Sequence, residues 1–510
     1  MPLPDWIAAT ARVEAEGPLA AAWSAADLAH HIDELARTLS RVIAPGSVVG
    51  LYADNSPHWI AADLAAQIAC VDLVPLPAFF SSEQLAHVIG ASGMAAMLSS
   101  DAGPAASFKF EAEAAGGLRL YRSTGPACER NALSEGRKIT FTSGTTQAPK
   151  GVILTTAQQL RTARALASLT CGLGIRRHLS ALPFPVLLEN VAGVYTALML
   201  GATCLCPTLD DLGVGGASGF DPERFLDVIA YYEPHSLILL PQMLHSLVAR
   251  LSRRTTMDAR LRSLKFVSVG GAKTPALLIA AARELGLPVY EGYGLTECGS
   301  VVSVNLPGAD RVGTVGKPLP GVAVRTAPDG ELEVTGRAFA GYVDAQPADS
   351  HAWFGTGDLG IVDADGFISI TGRKKNVLVT SFGRNISPEW PENLLLENPL
   401  IAQAAVFGDA RPYLVAVLVP ASPQTEEAAL ERAVRHANAA LPKYARVGGW
   451  VRACEPFTAS NGLATANGRI RRDALHARYA VRLSALYEQA QRPFSTGDHA
   501  GARPLMKRYS

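Results

Sequence analysis

Short β-branched and apolar runs alternate with Ala- and Leu-rich segments of helical period through much of the first 300 residues. Val48-Val-Gly-Leu-Tyr, Ser236-Leu-Ile-Leu-Leu and Phe266-Val-Ser-Val read as strands. Segments 61–68, 222–232 and 275–285 read as helices. This alternation predicts layered α/β structure with largely parallel sheets. Between about 300 and 370 the pattern becomes strand-and-turn: Val322-Ala-Val, Glu331-Leu-Glu-Val and Phe367-Ile-Ser-Ile are separated by Pro328-Asp-Gly and Asp365-Gly. A compact unit follows from about 376 to 490, with strands at 404–407 and 414–419 among helices. The last twenty residues, with Pro493, Gly497, Gly501 and Pro504, read as a loose extension.

At 510 residues the chain exceeds what one hydrophobic core usually supports, so two or more domains are expected. Its 48% hydrophobic and 18% charged residues exclude a disordered chain. Met1-Pro-Leu-Pro-Asp-Trp has no basic stretch leading into an apolar one, so no signal peptide is expected. Asp63 and Asp72 break the apolar stretch 60–79, which argues against a membrane span. Seven cysteines (70, 128, 171, 204, 206, 298 and 454) are scattered; Cys204 and Cys206 are spaced like same-face strand residues, neither a zinc knuckle nor a redox pair. Small buried hydrophobes in a reducing cytoplasm fit them best. Net charge is zero, yet 443–510 holds twelve Lys/Arg against four Asp/Glu. That region is either a solvated helical tail or a landing surface for something anionic: the phosphates of coenzyme A, an acidic carrier protein, or a lipid headgroup in peripheral contact. No nucleic-acid-binding signature accompanies it.

Candidate chemistry concentrates in a few loops. Ile139-Thr-Phe-Thr-Ser-Gly-Thr-Thr-Gln-Ala-Pro-Lys-Gly-Val152 is a strand emptying into hydroxyls and glycine before Pro149 and Lys150. Backbone N–H groups and small hydroxyls can crowd round phosphate oxygens, and one ammonium offsets their charge. It is not a Walker loop, which needs Gly-Lys-Ser/Thr at a helix start; the bland alternative is a polar hairpin turn. Phe266-Val-Ser-Val-Gly-Gly-Ala-Lys ends a strand in glycines that let a flat ligand approach the backbone. In Val289-Tyr-Glu-Gly-Tyr-Gly-Leu-Thr-Glu297, Tyr293 can stack on a purine, Thr296 can bond a phosphate, and Glu297 offers oxygen to Mg²⁺. Phe354-Gly-Thr-Gly-Asp358 puts a carboxylate on a tight turn, suited to a ribose diol or to an ordinary Asx turn.

In this order, over roughly 45–490, the segments resemble the core motifs of the AMP-forming adenylating enzymes, the superfamily of acyl-CoA synthetases, luciferases and peptide-synthetase adenylation domains. The resemblance implies an α/β (α+β overall) fold: a large domain over 1–374 of layered sheets plus a distorted β-barrel region, a small mobile domain over 376–490, and a basic tail over 491–510. It implies that Thr142, Ser143, Gly144, Thr145, Thr146 and Lys150 border the β- and γ-phosphates of ATP. Gly271 and Ala272 would line the adenine site with Tyr293 stacked on the ring; Asp358 and Arg373 would hold the ribose. Thr296 and Glu297 would act at the reacting phosphates, Glu297 as the Mg²⁺ ligand. Lys375 of Gly372-Arg-Lys-Lys375 falls at the hinge, and Gly383 in Gly383-Arg-Asn-Ile-Ser-Pro388 in the tunnel for a thiol. Gly313-Thr-Val-Gly-Lys-Pro-Leu-Pro-Gly321 matches a further, structural segment.

Within the superfamily the chain looks most like the long-chain fatty acyl-CoA synthetases, through Gly408-Asp-Ala-Arg-Pro-Tyr-Leu-Val-Ala-Val-Leu-Val-Pro420, Glu455-Pro-Phe-Thr-Ala-Ser-Asn-Gly-Leu-Ala-Thr465 and Leu182-Pro-Phe-Pro-Val-Leu-Leu-Glu-Asn190, where Val186 replaces their usual His. The implied reaction joins a carboxylic acid to AMP with loss of pyrophosphate and passes the acyl group to a thiol. Coenzyme A is the expected thiol, and an acyl carrier protein the rival. Two residues depart from the pattern. Arg469 stands where the family presents a lysine to the substrate carboxylate and α-phosphate, and no lysine lies between 444 and 506 to take its place. Gln147 replaces a phosphate-loop glycine. Arg469 as the working cation, a slow or adenylate-accepting enzyme, and a nucleotide-binding homologue impaired in adenylation are the three readings these departures leave.

Overall fold

The computed structural model describes residues 4–15, 21–100, 110–115, 118–123, 136–142, 149–215, 219–253, 256–336, 339–343, 345, 352–465 and 468–490. The unbroken apolar runs occupy the middles of two large sheets, where both faces are covered. The first sheet runs Gly341–Tyr342, Lys150–Leu154, Lys138–Thr142, Asp72–Pro75, Val48–Tyr52, Ala96–Ser99, Leu118–Ser123, Phe110–Ala115. Its four central strands, Lys138–Thr142 to Ala96–Ser99, are parallel and its edges antiparallel. The second sheet runs Lys317–Pro318, Ser303–Val304, Val289–Tyr293, Phe266–Val269, Ser236–Leu239, Arg177–Leu179, Thr203–Leu205, Arg12–Ala15, Ala21–Ser24. Here the six strands from Val289–Tyr293 to Arg12–Ala15 are parallel.

Helices packed against both sheets share one apolar core, in which Trp59, Phe184 and Tyr195 are fully buried. Their ends follow local chemistry. Pro57–Ile68 starts with Ser56 Oγ accepting from the Trp59 N–H, and Pro222–Tyr232 starts with Asp221 accepting from Glu223 and Arg224. Leu188–Tyr195 is wound as a π-helix, a form that tends to mark functional positions. Cys204 and Cys206 are both buried in the shared core, and burial pushes the Cys204 thiol up to about 12.

The strand-and-turn region forms a four-stranded antiparallel sheet of Ala323–Thr326, Glu331–Thr335, Phe354–Val362 and Ile368–Arg373. The smaller C-terminal region is built on Ile401–Phe407, Leu414–Pro420 and Val447–Arg452. Alternate residues split between two cores. Ala404, Val406, Leu414, Ala416 and Leu418 face Glu427–Ala439, while Ala405, Phe407, Val415, Val417 and Val419 face Arg472–Ala490. Mixed α/β layers with a large N-terminal and a smaller C-terminal domain are thus observed, as expected. Among the described residues no helix is long and apolar enough to cross a membrane.

Candidate active site

Glycine-ended strands, the four-stranded sheet and the C-terminal region converge on one cavity of about 960 Å³. It opens at the carboxyl ends of Ser236–Leu239, Phe266–Val269 and Val289–Tyr293, where parallel strands release their loops. Thr142, Lys150, Gly271, Ala272, Tyr293 and Thr296 line it, as do Glu297, Asp358, Arg373, Lys375 and Arg469. Positions more than 300 residues apart in the chain therefore share one cavity.

On one side of the cavity, Thr142 and Lys150 face each other across antiparallel strands. Ser143, Gly144, Thr145, Thr146 and Gln147, which connect them, lie outside the described residues. The Lys150 ammonium stands 6.0 Å over the Tyr342 ring, and the Tyr342 hydroxyl donates to Glu297 Oε1 at 3.1 Å. Burial and the Glu297 charge together push that hydroxyl well above its ordinary value, so it stays a donor. Tyr342 thus joins Lys150 to the Glu297 carboxylate. Sequence reasoning missed it, since a lone Gly-Tyr pair carries no local signal.

The other wall is organised by Asp358, 3% exposed. Its Oδ1 takes the Arg373 Nε at 2.6 Å and its Oδ2 accepts the Tyr293 hydroxyl at 2.7 Å. Asp358 and Arg373 face each other across antiparallel strands, which fixes the pair by register. Burial first, then the Asp358 charge, push the Tyr293 phenol well up, so its proton remains on the tyrosine. Gly271, which lines the cavity, adopts φ +88°, a conformation glycine reaches without strain. A side chain at Gly270 would meet the Gly292 carbonyl at 3.3 Å, so the two glycine-bearing loops are closely apposed.

The C-terminal region closes the cleft with cations. Arg469 Nε donates to the Gly271 carbonyl at 3.1 Å, and Gln242 Nε2 donates to the Gly468 carbonyl at 3.1 Å. Arg469 keeps solvent contact at the mouth, but desolvation by the cleft walls, then repulsion from Arg373, push its pKa down. Lys375, in the turn Lys374–Asn376, is lowered by desolvation, then by Arg373 and Arg469. Three cations are thereby held near one another with Asp358 and Glu297 as the opposing charges, a field that favours an added anion. Arg472 binds Glu392 by a two-pronged contact, 2.7 Å on each prong, and reaches the Val406 carbonyl at 3.1 Å. That pair, also missed from sequence, ties the start of Arg472–Ala490 to the cavity wall.

Further in, Glu291 is fully enclosed; burial pushes it up to about 7 although the Thr274 N–H donates to it at 2.8 Å. Gly383 takes φ +70° in an exposed hairpin turn and does not line the cavity, unlike the other described candidates.

The model of the AMP-binding enzyme family matches residues 4–342, and that of the AMP-binding enzyme C-terminal domain matches 375–491. Over 208 residues the chain is 41% identical to the long-chain-fatty-acid–CoA ligase FadD15 of Mycobacterium tuberculosis, covering 40% of this chain and 34% of that ligase. The match therefore spans about a third of the relative's length. The anthranilate CoA ligase AuaEII, solved with anthranoyl-AMP, superposes with a TM-score of 0.74 over 93% of this chain and 94% of its own, at 19% identity. The o-succinylbenzoate coenzyme A synthetase MenE of Bacillus subtilis, solved with ATP and magnesium ion, superposes with a TM-score of 0.69 over 91% and 96%, at 22% identity. At such identities the two structures share the fold.

Proposed function

The chain belongs to the AMP-binding enzyme family, and on that premise we propose that it is an ATP-dependent acid–thiol ligase. It would join a carboxylic acid, hydrophobic or fatty, to AMP with release of pyrophosphate, and then pass the acyl group to a thiol, coenzyme A first. The convergence of Lys150, Glu297, Asp358, Arg373 and Arg469 on one cavity carries this reading. Asp358, positioned by Arg373 and Tyr293, presents a carboxylate suited to a ribose diol. Glu297 uses Oε1 for the Tyr342 hydroxyl and has no hydrogen-bond partner on Oε2 among the described residues. A single hard oxygen donor of this kind fits Mg²⁺ that takes its remaining ligands from phosphates and water. When bound, the ion would neutralise charge on the phosphates.

Lys150 and Arg469 would steady the negative charge that grows as the carboxylate oxygen bonds to the α-phosphorus and the pyrophosphate oxygen leaves. Thr296, beside Glu297, is suited to bond a phosphate oxygen. The unit 376–490 would then turn about Lys375 and admit the thiol, which displaces AMP from the acyl carbon. Of the described cysteines, Cys204, Cys206 and Cys298 are buried hydrophobes as expected, whereas Cys70 is half-buried and Cys171 and Cys454 are exposed. None of them is in a disulfide, which supports a reducing cytoplasm as the place of work. Acid-dependent pyrophosphate release from Mg·ATP across an acid panel tests the first step. Coenzyme A and a phosphopantetheinylated carrier protein, supplied separately, test the second. Thioester on coenzyme A alone supports the main reading; transfer that needs the carrier moves the assignment to a carrier-dependent ligase. No pyrophosphate release with any acid, together with its recovery in Arg469→Lys, would make the chain an adenylation-impaired nucleotide binder.

A further inference from the structure

Beneath the nucleotide edge the cavity floor is one face of the second sheet. Ser236, Ile238 and Leu240 alternate onto it, as do Phe266, Ser268 and Gly270 of the neighbouring strand. Four strand steps separate Ser236 from Leu240, so Ser236 lies roughly 13 Å below that edge. His178, paired with Ser236 in the parallel ladder, lies in the same deep row. The surroundings are apolar: Ile175, Leu200 and Phe266 line the cavity there.

In this row His178 Nδ1 is 3.0 Å from Ser236 Oγ, and His178 Nε2 is 3.0 Å from Glu189 Oε1. The other oxygen of Glu189 accepts the Leu182 N–H at 3.1 Å. Both carboxylate oxygens therefore act as acceptors, and in the neutral imidazole Nε2 is the ring nitrogen that carries hydrogen. Nδ1 then accepts from the Ser236 hydroxyl, which leaves Ser236 Oγ with acceptor capacity directed at the cavity. The chain is sterically built in. At Gly193, on the π-helix above, a Cβ would come within 2.2 Å of Glu189 Oε1 and 2.7 Å of His178 Nε2.

Resting on the acid–thiol ligase reading, we propose that Ser236 selects acids bearing a hydroxyl on the tail, far from the carboxylate, with Glu189 a positioning residue that sets the His178 tautomer. An apolar tail alone would leave the Ser236 acceptor buried without a donor, the arrangement that costs affinity.

The test uses the full chain and acids of equal length that carry a hydroxyl near the far end, a ketone there, or neither. Expected is a kcat/KM about five- to tenfold higher for the hydroxy acid than for the plain one. Ser236→Ala should abolish that preference while still using the plain acid. Glu189→Gln gives the second arm. Its amide donates to Nε2, so the ring hydrogen moves to Nδ1, the serine accepts it, and the serine O–H turns to the cavity; preference should invert toward the ketone. Equal use of all three acids by the native chain, or a hydroxyl preference that survives Ser236→Ala, overturns the proposal. Calorimetric Kd values for the same acids in the presence of AMP need no turnover. A hydroxyl preference in binding without pyrophosphate release would therefore sink the ligase reading and leave the Ser236 assignment standing.

Discussion

Arg469→Ala removes a guanidinium that donates to the Gly271 carbonyl at 3.1 Å and feels Arg373 and Lys375 on one side and Asp358 and Glu297 on the other. Its ground-state cost is small. The side chain is exposed at the cleft mouth, so the fold should change by about 0.5 kcal/mol or less. Relief of repulsion with Arg373 and Lys375 offsets part of even that. The cost in the transition state is larger, because charge gathers on the α-phosphate as pyrophosphate departs. A fixed donor aimed at such charge is worth about 3–4 kcal/mol, or 10²–10³ in kcat. Steady-state pyrophosphate release, with ATP and acid varied separately, should show a fall of that size in kcat and no more than about a threefold change in KM for ATP. Arg469→Lys keeps the charge but loses the fork and should sit between the two. Native turnover in the alanine variant would refute the placement of Arg469 at the reacting phosphate; a lysine variant faster than the native chain would refute the arginine as an effective adenylation cation.

Lys150→Ala should raise KM for ATP about tenfold or more, as loss of a charge-assisted phosphate contact does; unchanged ATP kinetics would discredit the phosphate assignment. Glu291 has a folded pKa of about 7 against an ordinary 4.5, so the folded state binds the proton more tightly than the unfolded one. Its contribution is full below about 4.5 and is lost as pH rises through about 7, a loss of roughly 3 kcal/mol at most. Glu291→Gln should flatten denaturant-measured stability across that window and be the more stable protein above it; a native-like slope in the variant counts against the buried carboxyl. Arg472→Met should cost about 3–5 kcal/mol, since it leaves the enclosed Glu392 without its counter-ion, with the Val406 N–H at 2.6 Å still donating to it. Urea unfolding checks it, and Glu392→Gln in the same background should recover part of the loss.

The strands at Val48–Tyr52, Ser236–Leu239 and Phe266–Val269 were legible because an apolar run buried on both faces needs no partner to identify it. Arg12–Ala15 was not, because this short run enters the large sheet through its pairing with Thr203–Leu205, some 190 residues away, besides its local partner Ala21–Ser24. At the site, glycines and hydroxyls at strand ends pointed to Gly271, Tyr293, Glu297 and Asp358. Tyr342, Arg472 and Glu392 act through neighbours that the fold supplies, so nothing nearby in the sequence marks them. The segment around Glu189 was visible only by resemblance. Its π-helical winding and its contact with His178 depend on a strand eleven residues earlier and on a glycine four residues later.

The two halves of the cavity are also joined behind its walls. Asp63, on the helix Pro57–Ile68, accepts from Lys138 Nζ at 3.0 Å, Asn190 Nδ2 at 2.9 Å and the Tyr195 hydroxyl at 2.8 Å, all on one oxygen. Lys138 also donates to Asn190 Oδ1 and, at 3.1 Å, to the Tyr195 oxygen. Desolvation pushes the Lys138 ammonium down and the Asp63 charge holds it up. Lys138 opens the strand that ends at Thr142 on the cavity wall; Asn190 and Tyr195 belong to the π-helix that lines the same cavity. A buried pair is weak evidence of added stability, because desolvation consumes much of its attraction. Its directional bonds nevertheless fix where each partner can sit. Displacing the π-helix would strip Asp63 and Lys138 of partners they cannot replace in an apolar core. The network therefore holds the π-helix in register with the strand Lys138–Thr142 across the cavity; in the proposed reaction that alignment would serve in-line attack on the α-phosphorus.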